Sequence, residues 1–142
     1  MTTSQHAEAL GRVSLFSDLT GKQLEAIANA AKEIERGNGE VLAKEGDTGI
    51  GFFLILEGTA QVDVGGDAKA ELGPGDSFGE ISLLDGGPRA ATVTATSQMR
   101  LLGLTAWAFK AIVKEHPELA VRLLEVLAGY VRNTAKTDSL DT

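Results

Sequence analysis

Between residues 78 and 93 the chain reads FGEISLLDGGPRAATV. One carboxylate, Glu80, and one guanidinium, Arg89, stand nine positions apart among small and apolar neighbours. Gly79 opens a segment, 79–84, long enough for about one helical turn, whose first amides point outward and favour an anion. Arg89 adds a fork of donors that matches two oxygens of a phosphate. Ala90 and Ala91 carry no bulk, so their own N–H groups stay reachable. Glu80 can only accept hydrogen bonds and so needs a hydroxyl donor, for which a sugar 2′-OH is suited. Two readings follow from these residue types. Glu80 and Arg89 form an exposed ion pair worth roughly 0–1 kcal/mol, or they hold the two ends of a ribose phosphate.

The elements that must position these residues are readable in outline. An N-terminal helical segment spans residues 8–32, after a frayed start at residues 1–7. Its clearest part begins at residue 21, where Thr20 caps, Gln23 completes a capping box, and Leu19 with Leu24 has staple spacing. From residue 33 to 105, short apolar runs are broken by glycines, as in strands joined by tight turns. Residues 41–42, 52–56, 61–64, 91–96 and 99–104 are the strand candidates, with turns at 57–58 and 97–98 and a short loop at 65–68. Two helices close the chain: a short one from about residue 106 to 115, and one that follows Pro117 and runs to about residue 136. The fold class expected is α+β, mainly β: an antiparallel β-roll or jelly roll flanked by an N-terminal helix and two C-terminal helices. All of residues 1–142 read as a single domain without internal repeats.

The totals narrow the function classes. With 142 residues the chain is about one domain long. Its 13 Lys+Arg against 20 Asp+Glu give a net charge of −7, which argues against a nucleic-acid partner and an anionic membrane. Zero cysteines exclude disulfides and thiolate metal sites and accord with a reducing compartment, so a cytoplasmic protein without a signal peptide is expected. His6 and His116 are the two histidines and do not share strand spacing, so no metal centre is expected. No Ser-His or Cys-His pair suggests a nucleophile, so no catalytic residue is assigned.

The stretch 78–93 also resembles the phosphate-binding cassette of cyclic nucleotide-binding domains. The likeness extends through GEVL at 39–42, EGD at 45–47, FLILEG at 53–58 and GPGD at 73–76, over roughly residues 15–133. The family's helix, β-roll, helix order is the one outlined above. The resemblance implies that Arg89 holds the ligand's phosphate and that Glu80 accepts from the ribose 2′-OH. It implies that Gly79 and the amides of Ile81 and Ser82 complete the pocket, with Ala90 against the phosphate and Phe78 and Ala91 among the ligand-binding residues. In the family a threonine directly after the arginine favours guanine; Ala90 stands there, which implies cAMP over cGMP by no more than about 1–3 kcal/mol. The C-terminal helix is the implied lid over the base, pivoting near residues 115–117 and offering Tyr130, Arg132 and Thr134. Aligned from His116, Pro117 and Glu118, it resembles that of bacterial catabolite activators, and Thr134 falls near the residue that touches the adenine amino group. The alternatives are core packing for Tyr130 and a solvated helix face for Arg132.

Two departures from the family pattern stand out. The turn at 37–39 lacks the proline common there. Nothing resembling a DNA-binding helix-turn-helix, a membrane pore or a tandem copy accompanies the roll. The expectation is a solitary sensor, without a cofactor beyond its ligand, acting through a homodimer or a separate effector protein. The rival reading is an interaction module without a ligand, with Leu119, Leu123, Leu127 and Val131 as a dimer seam.

Overall fold

The computed structural model describes residues 1–48 and 51–137, and the side chains of these except residues 81 and 134–137. The expected frayed start is a helix, α1 (Thr3–Leu10). The Thr2 hydroxyl accepts from the Gln5 amide and the Gln5 side chain accepts from the Thr2 amide, a closed capping box. Ala7 and Leu10 anchor its buried side. A 3-10 turn, Ser14–Phe16, follows and buries Leu15 and Phe16. Helix α2 (Gly21–Ala30) starts on the Thr20–Gln23 box that its sequence announces. The single helical segment over 8–32 is therefore two helices and a turn, and it stops early because residue 32 already belongs to a strand.

The roll contains β1 (Lys32–Arg36), β2 (Val41–Ala43), β3 (Gly51–Glu57), β4 (Ala60–Val64), β5 (Asp67–Leu72), β6 (Ser77–Phe78), β7 (Thr92–Ala95) and β8 (Met99–Thr105), with α3 (Glu80–Asp85) between β6 and β7. Two antiparallel sheets have the orders β1-β8-β3-β6 and β2-β7-β4-β5. All five expected strands are present, and β1, β5 and β6 are additional. The expected loop at 65–68 is tighter: Gly65 and Gly66, at φ 61° and 87°, make the turn, and Asp67 already pairs with Val64.

The sheet that holds β3 and β8 is covered on both faces. Phe52, Leu54, Leu102 and Leu104 pack with the helices, whereas Ile55, Met99 and Leu101 pack inside the roll. Burial on both faces explains the unbroken apolar run at 52–56, where a half-exposed strand would alternate. Phe16 meets Phe52 edge-on with centroids 5.6 Å apart and lies 6.0 Å from Phe109. Each such buried side chain contributes on the order of 1.5–3 kcal/mol. Two helices close the described chain, α4 (Ala106–Glu115), capped by Thr105, and α5 (Glu118–Thr137). Leu119 and Leu123 of α5 are buried in the helix-side core. Half of the expected dimer seam is thus already covered within the chain.

Candidate ligand-binding site

Strand β6 ends where Gly79 turns the backbone to φ 91°, and α3 starts at the next residue. A Cβ at Gly79 would run into Arg89 Nη1 and the Gly51 carbonyl oxygen, so only glycine lets the two segments come this close. Gly86 at φ 67° ends α3, and the Asp85 carboxylate accepts from the Gly87 amide at 2.7 Å. The chain then passes Pro88 to Arg89. Here the Arg89 amide donates to the Asp47 carbonyl at 2.8 Å and its carbonyl accepts from the Gly46 amide at 2.9 Å. The backbone of Arg89 is clamped from both sides.

Arg89 is 9% exposed, and among the described residues its Nη1 has no hydrogen-bond partner. Its guanidinium carbon lies 6.0 Å from the centre of the Phe53 ring, which in turn packs on Phe78 at 5.2 Å. Burial pushes the guanidinium pKa below its ordinary value. Glu80 is half-buried and accepts a hydrogen bond from the Ser77 hydroxyl. Among the described residues Glu80 and Arg89 make no ion pair with each other. The ion-pair reading of the two residues is therefore overturned, and each is left with capacity for something else.

A cavity of about 320 Å³ opens at Glu80, lined by Val13, Ser14, Leu15, Ser77 and Tyr130. Its size is at the low end of small-molecule pockets, about 300–1,000 Å³. Tyr130 is 36% exposed at this cavity, outside the core that one sequence reading offered it. Arg132 lies exposed on the same helix, away from the lining. Thr134 belongs to α5, with its side chain outside the described residues, as is that of Ile81. Ser82 is buried, and its hydroxyl donates to the Gly87 carbonyl at 3.3 Å, tying α3 to the loop that leads to Arg89. Ala90 is exposed and Ala91 half-buried, so neither shields the space beside Arg89. Sequence reasoning missed Ser77 and the 3-10 turn. The i, i+3 spacing of Ser77 to Glu80 was the available signal for the first; the second is brought in only by tertiary packing.

An orphaned guanidinium beside a glycine-opened turn, with an oriented carboxylate nearby, agrees with the match of the cyclic nucleotide-binding domain family model to residues 33–116. The chain belongs to this family. The solved N-terminal domain of a transcriptional regulator from Streptomyces coelicolor is 30% identical, superposes with a TM-score of 0.84, and is matched over 91% of this chain and 94% of that one. The regulatory domain of Toxoplasma gondii PKA, crystallised with cAMP, is 34% identical with a TM-score of 0.71, over 80% of this chain and 45% of that one. A CRP-like cAMP-activated global transcriptional regulator of Mycobacterium tuberculosis is 26% identical over 132 residues, which are 89% of this chain. The chain spans less than two thirds of the length of the curated relatives it matches, 30% of one and 59% of another. Cyclic nucleotide-binding domains are regulatory sensor modules, and among the described residues no helix is long and apolar enough to cross a membrane.

Proposed function

We propose that this cyclic nucleotide-binding domain is a sensor of cAMP, with Arg89 holding the phosphate and Glu80 the ribose 2′-OH. The orphaned Nη1 of Arg89 carries the proposal. A buried donor left unpaired costs about 1–3 kcal/mol, and more when it is charged. A singly charged cyclic phosphate would answer that cost with a charge-assisted hydrogen bond, and the exposed Ala90 leaves room for it to approach. The Ser77 hydroxyl holds Glu80 in one orientation, ready to accept from a sugar hydroxyl. The amides of Gly79, Ile81 and Ser82 would complete the phosphate cradle, with Phe78 and Ala91 at its margins.

The base would lie toward the Tyr130 side of the cavity, with α5 closing as a lid about His116 and Thr134 as a further contact. Ala90 lacks the hydroxyl that would serve a guanine amino group, which favours adenine. Residues 1–142 would act as one binding unit without turnover of the ligand, in the cytoplasm, where zero cysteines are at ease. Calorimetric titration of protein unfolded, stripped and refolded tests this. Micromolar or tighter binding with cAMP ahead of cGMP is expected. Stronger cGMP binding would discard the argument from Ala90, and no heat with either from folded protein would discard the site.

A further inference from the structure

A second cavity, about 480 Å³ and distinct from the nucleotide site, lies between α3, α4 and α5. Its floor is apolar: Leu84 comes from α3, Val113 from α4, and Leu124 and Leu127 from α5. Leu124 is 65% exposed there, so the apolar lining of the groove reaches the surface. The rim has one sign of charge. Lys110 and Lys114 line the groove, no carboxylate does, and neither lysine forms an ion pair among the described residues. This is unexpected in a chain of net charge −7. Trp107 is 76% exposed and stands three positions before Lys110, on the same face of α4. An apolar trough with a basic rim fits an amphipathic helix whose apolar stripe is flanked by carboxylates.

We propose that this groove docks an acidic amphipathic helix of a separate effector protein. Its walls are the cassette helix, the helix before the pivot and the lid, so any nucleotide-driven change in their packing alters the groove. As an output surface it rests on the cyclic-nucleotide reading above; as a docking surface it stands on its own lining. Coupling would be reciprocal, with cAMP and the helix changing each other's affinity by the same factor.

The test uses the full chain and two synthetic 18-residue helical peptides with the same leucine stripe, one flanked by glutamates and one by lysines. Fluorescence anisotropy is expected to give at least tenfold tighter binding of the glutamate peptide at low salt, weakening as salt rises. The Lys110→Glu, Lys114→Glu double variant should invert that preference while its cAMP titration stays as in the parent. In Arg89→Ala the glutamate peptide should still bind, but with an affinity that cAMP no longer changes. Equal binding of both peptides, or of neither to folded protein, overturns the docking surface. So does sedimentation showing a dimer that Leu124→Glu dissociates, since a second copy then covers the groove. If cAMP fails to bind the parent while the charge preference and its inversion hold, only the nucleotide reading falls.

Discussion

Arg89 is a residue whose own stability and whose use point in opposite directions. Taking a guanidinium out of water without a full set of acceptors costs the unliganded domain about 1–3 kcal/mol, and the unpartnered Nη1 is where that cost sits. Arg89→Met keeps much of the volume over Phe53 and removes the charge. In the absence of nucleotide this variant is expected to melt higher than the parent by several degrees. Saturating cAMP should raise the melting temperature of the parent, by the equivalent of about 2.7 kcal/mol at a hundredfold excess over Kd, and leave Arg89→Met unmoved. Paired melts with and without cAMP check both; a variant that melts lower when empty would mean the guanidinium is already satisfied. Glu80 makes a separate prediction, because its role is toward a hydroxyl. The 2′-deoxy analogue should bind the parent more weakly than cAMP does, by about 1.5–3 kcal/mol for a lost hydrogen bond to a charged group. In Glu80→Ala the two ligands should bind alike, and Ser77→Ala should give part of that effect, since its hydroxyl orients the carboxylate. Equal discrimination in parent and Glu80→Ala by calorimetry would remove Glu80 from the ribose.

At the scale of elements, the site depends on two joints. The first is Gly79, where φ 91° and the closeness of Arg89 and the Gly51 carbonyl both forbid a side chain. Gly79→Ala should cost at least about 1–3 kcal/mol of stability and also weaken nucleotide binding, because relieving the clash displaces Arg89; chemical denaturation and titration on one preparation read both. The second joint ties the N-terminal helix to the roll. His6 Nε2 lies 3.0 Å from Glu33 Oε1, and Arg100 Nη1 lies 3.7 Å from the other carboxylate oxygen. The hydrogen bond to His6, ahead of the charges of the N-terminus and Arg100, holds the Glu33 carboxyl below its ordinary value. A depressed carboxyl pKa stabilises the fold above the unfolded value and loses that contribution as pH falls through the folded one. Stability should therefore decline below about pH 4, and Glu33→Gln should flatten that acid limb in melts from pH 7 to pH 3. These joints also mark what the sequence could reveal. Capping boxes, helical periodicity and glycines are local signals, so α2, α4 and the cassette helix were legible, and Glu80 and Arg89 could be picked out as candidates. Strands β1 and β5 were not, because KEIER and DAKAEL show almost no buried apolar face, and β6 is two residues defined only by pairing with β3. Helix α1 was hidden by its polar surface although Thr2 and Gln5 spell its cap. Gly51 and the 3-10 turn reach the site only through contacts between distant segments, which no local pattern encodes, whereas Ser77 lies three positions before Glu80.

For the whole molecule, the division of labour lies between a sheet buried on both faces and the elements laid against it. Strands β3 and β8 carry Phe52, Leu54, Ile55, Leu101 and Leu102, each no more than 1% exposed, and form the part that opening must disrupt last. Against this frame stand α3 with its two left-handed glycine ends, and the distal part of α5, where residues 128–133 are exposed. A ligand can shift only what differs between the free and bound arrangements, and those differences should be confined to the elements that carry Arg89, Glu80 and Tyr130. Amide hydrogen exchange with and without saturating cAMP reads this directly. Protection is expected to rise over residues 79–91 and over α5 from about residue 126, by the factor that the binding free energy allows for local opening. Amides of β8 and β3, expected to be the slowest, should move only in so far as they exchange through global unfolding. If protection rises in the cassette but not in α5, the phosphate clamp operates without a lid, and the groove between α4 and α5 loses its means of sensing nucleotide. If it rises uniformly across the sheet, the ligand acts on global stability alone, and the cassette and lid do not form a separately responding part of the fold.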